Sequence, residues 1–202
     1  MASLKEALDK LKSGKVDAPT VVFTFDDGYR DNYLNLNAVK SEIDFPAALF
    51  VCTEKIELGQ EFGHDRSQGE AGFLPFSWEQ LRKLKTAGFE IGTHTRSHFD
   101  CGSRDESHLR DEIVGSKQDL ESKLGTSVEY FSFPWGKPKN ISSEALDIAS
   151  SAYVTVFAAD GGANLPQPGA GKLLKRIGHC NDVWELELNL QSILELKDLL
   201  PA

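Results

Sequence analysis

The chain has 202 residues, 40% of them apolar and 26% charged, with a formal net charge of −9. Twelve Phe and three Trp must find a core, which excludes a disordered chain, and no apolar run approaches the ~18–20 residues of a membrane span. The acidic balance excludes general binding to phosphate backbones or anionic lipid, so no nucleic-acid partner is expected. Cys52, Cys101 and Cys180 show neither CxxC nor zinc-finger spacing, so a disulfide framework is not expected. Residues 1–12 alternate charge with Leu and lack the apolar centre of a signal peptide. They read as part of a helical extension over 1–18. With the free thiols, they point to a cytoplasmic protein.

Strand and helix patterns then alternate. Residues 20–25, Thr-Val-Val-Phe-Thr-Phe, form a short β-branched and aromatic run between Pro19 and Gly28, which predicts a buried strand. A helix is expected over 31–43 and a second strand over 47–51. Ser77 to Gln80 has capping-box form and opens a helix to Thr86, with Gly88 as the stop. A third strand covers 89–92. Leu109, Ile113, Leu120 and Leu124 lie near the helical period and predict one long helix over 106–124, ended by Gly125. Strands are expected over 128–133, 153–158 and 173–178, with a helix at 143–150. A second capping box, Asp182 to Glu185, opens a last helix to about residue 199. Residues 57–76 are long, Gly-rich and aperiodic.

Repeated β-to-α alternation implies a parallel sheet with helices outside, in a single domain over 1–202. Six or seven strands in 202 residues fall short of the ~250 residues of a full barrel. The expected architecture is an α/β fold, either an irregular, incomplete (β/α) barrel of parallel strands with outer helices or a doubly wound sheet. In both, chemistry belongs at the carboxyl ends of the strands.

The polar residues at those ends are few. The first strand ends in Asp26-Asp27-Gly28. Two adjacent carboxylates raise each other's pKa, so a nearby cation is expected, and in extended chain they point to opposite sides. On its own the pair also fits a solvated turn. The third strand runs into His94-Thr-Arg-Ser-His98. Two imidazoles at this spacing can close on one divalent ion, and with Asp27 they leave positions open for water and substrate. The fourth strand ends in Phe133-Pro134-Trp135-Gly136, a turn that frees the Trp135 amide to face the site. After the sixth comes Arg176-Ile-Gly-His179, where a His can serve as general acid.

These motifs resemble those of the polysaccharide deacetylase family, the NodB-homology or carbohydrate esterase family 4 group. Thr24-Phe-Asp-Asp-Gly28 matches its first motif and His94-Thr-Arg-Ser-His98 its second. Phe133 to Gly136 matches the third in part, and Ile177-Gly-His179 has the form of the last. The resemblance implies an N-deacetylase of GlcNAc-type sugars in a polysaccharide, glycolipid or glycan precursor; Trp135, Trp78, Phe99 and Tyr29 are then candidates to stack on sugar rings, and His64 and Asp65 to touch substrate. It implies that Asp27, His94 and His98 hold a divalent metal, most often zinc; Co2+, Ni2+, Fe2+ and Mn2+ suit the same donors. Asp26 is then the general base, His179 the general acid, and the Trp135 amide part of the oxyanion site. There are two departures. The third motif often begins with Arg, where this chain has Ser132, and the Asp-Trp of the fourth motif is absent near Asp160. Arg176 is a candidate for the missing cation. The departures leave two alternatives: hydrolysis of another non-peptide C–N bond on the same fold, and a weakly catalytic carbohydrate-binding domain.

Overall fold

Five consecutive residues of one segment, Ala47–Val51 (β2), are buried on both faces, as a strand in the middle of a parallel sheet must be. In the computed structural model, which describes residues 1–14, 18–67, 69, 72–166, 172–178, 180 and 182–197, this strand lies between Phe23–Phe25 (β1) and Glu90–Thr93 (β3). Tyr130–Ser132 (β4), Thr155–Phe157 (β5) and Leu173–Leu174 (β6) continue the sheet. All pairings are parallel and the spatial order is the chain order. A doubly wound sheet needs a reversal of strand order, and none occurs. The fold is therefore the incomplete (β/α) barrel, and among the described residues β6 does not pair back to β1.

The two faces of β2 explain the layers. Ala47, Leu49 and Val51 join a large core under the outer helices Arg30–Glu42 (α2), Trp78–Thr86 (α5) and Ser143–Ala152 (α8). Ala48 and Phe50 face the concave side with Phe157 and Leu174, where Leu4 and Leu8 of Leu4–Ser13 (α1) cover them. A Glu90 carboxylate at the start of β3 accepts from the amides of Leu4 and Lys5 at 2.6 and 2.9 Å, fixing the first turn of α1. The expected capping box at Ser77 and Gln80 is present, with both reciprocal bonds.

Three expectations change. The sixth strand stops at Leu174, because Lys175 pairs through its N–H and C=O with the Asn164 side chain rather than a neighbouring strand. Residues 57–76 are not all loop, since Thr53–Leu58 (α3) and Gly63–Ser67 (α4) are short helices there. The helix over 106–124 divides into Glu106–Arg110 (α6), a π-helical turn Asp111–Gly115 and Ser116–Leu124 (α7). The last helix is Val183–Lys197 (α9), and the residues beyond it lie outside the described set. No helix among the described residues is long and apolar enough to cross a membrane.

Candidate active site

The chain places its backbone strain at the carboxyl ends of the strands. Asp27, Thr95, His98 and Trp135 are the described non-glycine residues with positive φ, at 70, 64, 67 and 55°. Each such conformation costs of order 1–3 kcal/mol and persists only where its surroundings impose it. The constraints are visible. Asp27 precedes Gly28, where an added Cβ would press on Val51 and Phe76 at 3.2–3.4 Å. Trp135 lies in a turn closed by Gly136 N–H donating to the carbonyl of Pro134 at 2.6 Å. A Cβ on Gly136 would collide with the Ala159 backbone at 2.4 Å.

The loop from His94 to His98 is held by charge. The buried Glu112 carboxylate, on the π-helical turn, accepts from the amides of Arg96 and Ser97 and from the Ser97 hydroxyl at 2.6–3.0 Å. Arg96 pairs bidentately with Asp119 at 2.8 and 2.9 Å and reaches Asp111 at 2.7 Å. The Glu54 amide, in the first turn of α3, donates to the carbonyl of Arg96. Glu112 is absent from the sequence reading. Its signal is a lone carboxylate on the same helix face as Leu109, Ile113 and Ser116.

The expected metal residues come together around one carboxylate. Asp27 Oδ1 lies 3.2 Å from His98 Nε2 and 3.4 Å from His94 Nε2. This oxygen is buried and accepts no hydrogen bond, a costly state for a carboxylate unless a cation satisfies it. His94 Nδ1 lies 2.7 Å from the carbonyl of Ser132, which can only accept, so Nδ1 carries the proton and Nε2 offers its lone pair. Burial holds the His94 pKa below the ordinary histidine value despite the two aspartates. Burial raises the Asp27 pKa, but the adjacent rings of His98 and His94 outweigh it and keep the value low. The Nε2 lone pair of His94 and the ring of His98, beside an ionised carboxylate with an oxygen that accepts no hydrogen bond, fit a divalent ion.

Asp26 turns the other way. Arg176 grips both of its oxygens at 2.7 Å and also donates to Ser132 Oγ and Thr24 Oγ1 at 2.6 and 3.0 Å. Arg176 thus supplies the cation that position 132 lacks. Desolvation raises the pKa of Asp26, but Arg176, His94 and Ser132 outweigh it and bring the value to about 2.

The remaining candidates divide. The Trp135 ring stands 4.4 Å from that of His98, and Pro134 is buried beneath the same turn. Tyr29 Oη donates to Asp65 Oδ2 at 2.9 Å and lies 3.0 Å from His64 Nε2. Burial with the charges of Asp27 and Asp65 pushes its phenol up, so it stays protonated. Trp78 lines a separate groove of about 380 Å³ with Glu57 and Lys123, and Phe99 stacks on His108. His179 lies outside the described residues.

The polysaccharide deacetylase family model matches residues 13–157, ending before Arg176. YxkH of Bacillus subtilis (strain 168), which carries a polysaccharide-deacetylase name, is 27% identical over 136 residues, covering 67% of this chain and 42% of that protein. The chain spans less than half the length of the curated relatives it matches. Among solved structures, the Streptococcus pyogenes deacetylase PplD in complex with acetate superposes with a TM-score of 0.76 at 22% identity, covering 95% of this chain and 78% of that one. IcaB from Ammonifex degensii gives 0.74 at 21% identity, over 96% and 82%. At such identities the likeness is one of fold. The family match covers well over half of the sequence, and the chain belongs to the polysaccharide deacetylase family.

Proposed function

We propose that the chain is a metal-dependent hydrolase that removes N-acetyl groups from GlcNAc-type sugars, giving acetate and a free amino sugar. The observation that carries this reading is the buried, hydrogen-bond-free Asp27 Oδ1 between two imidazoles, next to the ionised Asp26. Asp27, His94 and His98 would hold the ion. When bound, it would polarise the amide carbonyl and lower the pKa of a water toward neutrality.

The chain's own groups carry the other parts. Asp26 accepts the water's proton, and Arg176 aims its carboxylate through two bonds at the cost of basicity. The Trp135 N–H donates to the oxygen on which charge develops, a donor worth about 3 kcal/mol in such sites. The Trp135 ring, 44% exposed beside His98, offers a face for the sugar. Protonation of the departing amine is assigned to His179, on the family resemblance. Hydrolysis balances, with one water consumed per amide and one acetate released.

The test is acetate release from N-acetylated chito-oligosaccharides by the Zn2+-loaded chain and by Asp26→Asn. Activity in the parent, lost in the variant with the ion retained, supports the reading. Equal activity in Asp26→Asn removes Asp26 as base. Formate release without acetate, across N-formyl and N-acetyl substrates, transfers the site to a different C–N bond.

A further inference from the structure

The structure adds a third imidazole to the cluster. His64, on the short helix α4, has its ring 4.4 Å from that of His98 and 5.5 Å from the fully buried Phe62. Its Nε2 lies 3.4 Å from Asp65 Oδ1 and 3.8 Å from Asp27 Oδ2, whereas Asp27 Oδ1 faces His94 and His98 at 3.4 and 3.2 Å. The two oxygens of one carboxylate are thus shared among three histidines. Donors that share an ion through bonds of about 2.0–2.2 Å can stand at most about 4.4 Å apart. All three contacts fall within that span. Asp27, His64 and His98 have ligand atoms mutually within 4.8 Å, a group that does not include His94, so His94 Nε2 must close on the others for all four to bind.

The position of His64 is fixed by its neighbours. The Tyr29 hydroxyl ties Asp65 of α4 to the turn after β1. Backbone bonds from Arg30 N–H to Leu74 and from Phe76 N–H to Gly28 pin the end of the same segment to that turn. The contact between His64 Nε2 and Tyr29 Oη, at 3.0 Å, is one that a shorter metal–nitrogen bond would replace.

We propose that His64 is a fourth protein ligand of the ion that the proposed function requires, making the centre one of three histidines and one aspartate. This rests on that reading of the Asp27 site. A third imidazole moves the donor set further toward Zn2+, Co2+ and Ni2+ and away from Mg2+ and Mn2+.

The experiment reads binding rather than turnover. Zn2+ affinity is measured by competition with a chromophoric chelator for the parent, His64→Ala, His64→Phe and, as a control outside the site, His108→Ala. Histidine ligands are counted from the zinc-edge X-ray absorption of each. His64→Phe keeps an aromatic ring against Phe62 and Tyr29, so it reports on the ligand atom with packing preserved. The parent and His108→Ala should bind one ion with three imidazoles. Both His64 variants should show two, with affinity lower by at least the about 10–100-fold that loss of an outer-shell partner costs. Unchanged affinity and imidazole count in both His64 variants overturns the fourth ligand while the Asp27 site stands. A parent that binds no ion overturns both.

Discussion

Asp26 and Asp27 are adjacent in sequence and opposite in circumstance. On one side of β1, Asp26 has every oxygen engaged by Arg176, with Ser132 and Thr24 completing the cradle. On the other, Asp27 keeps a buried oxygen without a hydrogen bond, and its carboxylate faces three imidazoles. Both lie past the end of β1, and the left-handed turn at Asp27 sends the two side chains apart; the residues they meet then decide their chemistry. The first carboxylate is oriented by its bonds and still has lone pairs to take a proton; the other, unsaturated, presents a bare oxygen to the imidazoles.

Breaking the unsaturated side should have the larger effect. Asp27→Ala should lose the ion from the purified protein and bring acetate release to background, as elemental analysis and acetate assay will show. Asp26→Asn should keep the ion and lower kcat by about 10²–10⁴-fold, the usual contribution of a positioned base. Arg176→Gln sharpens the contrast. Without the guanidinium, desolvation is less opposed and the Asp26 pKa rises from about 2. The base must be ionised to act, so the acid limb of the kcat profile should move to higher pH; a limb that stays in place would reduce Arg176 to packing. The smallest effect on chemistry should come from Glu112→Ala. It strands the Arg96 and Ser97 amides, costing about 1–3 kcal/mol per buried group left unsatisfied, read as a lower urea midpoint.

Much of this arrangement is legible in the residues. The parallel sheet follows from short apolar runs separated by capped helices, and Asp26, Asp27, His94 and His98 are visible as polar groups at strand ends. Arg176 is readable as a candidate because the family resemblance leaves a cation missing at Ser132, yet its bidentate grip depends on β6 lying across an open barrel from β1, 150 residues away. The choice between barrel and doubly wound sheet depends on strand order, which local patterns do not encode. The π-helical turn is equally silent, since its extra residue matters only through Glu112 and the loop it holds. His64 falls in an aperiodic segment, and its place beside Asp27 comes from Tyr29 and Asp65 rather than from any spacing.

The helix across the concave side has a consequence for engineering. Six strands wrap too little of a circle to shut their own mouth, and ten residues of α1 act as the stopper. Trimming the chain back to Gly14 would uncork Ala48, Phe50, Phe157 and Leu174, leaving a greasy hollow beside an open sheet edge. A shortened version should therefore clump on concentration even though Asp26, Asp27, His94 and His98 are still in place, and light scattering of the two lengths side by side would reveal it.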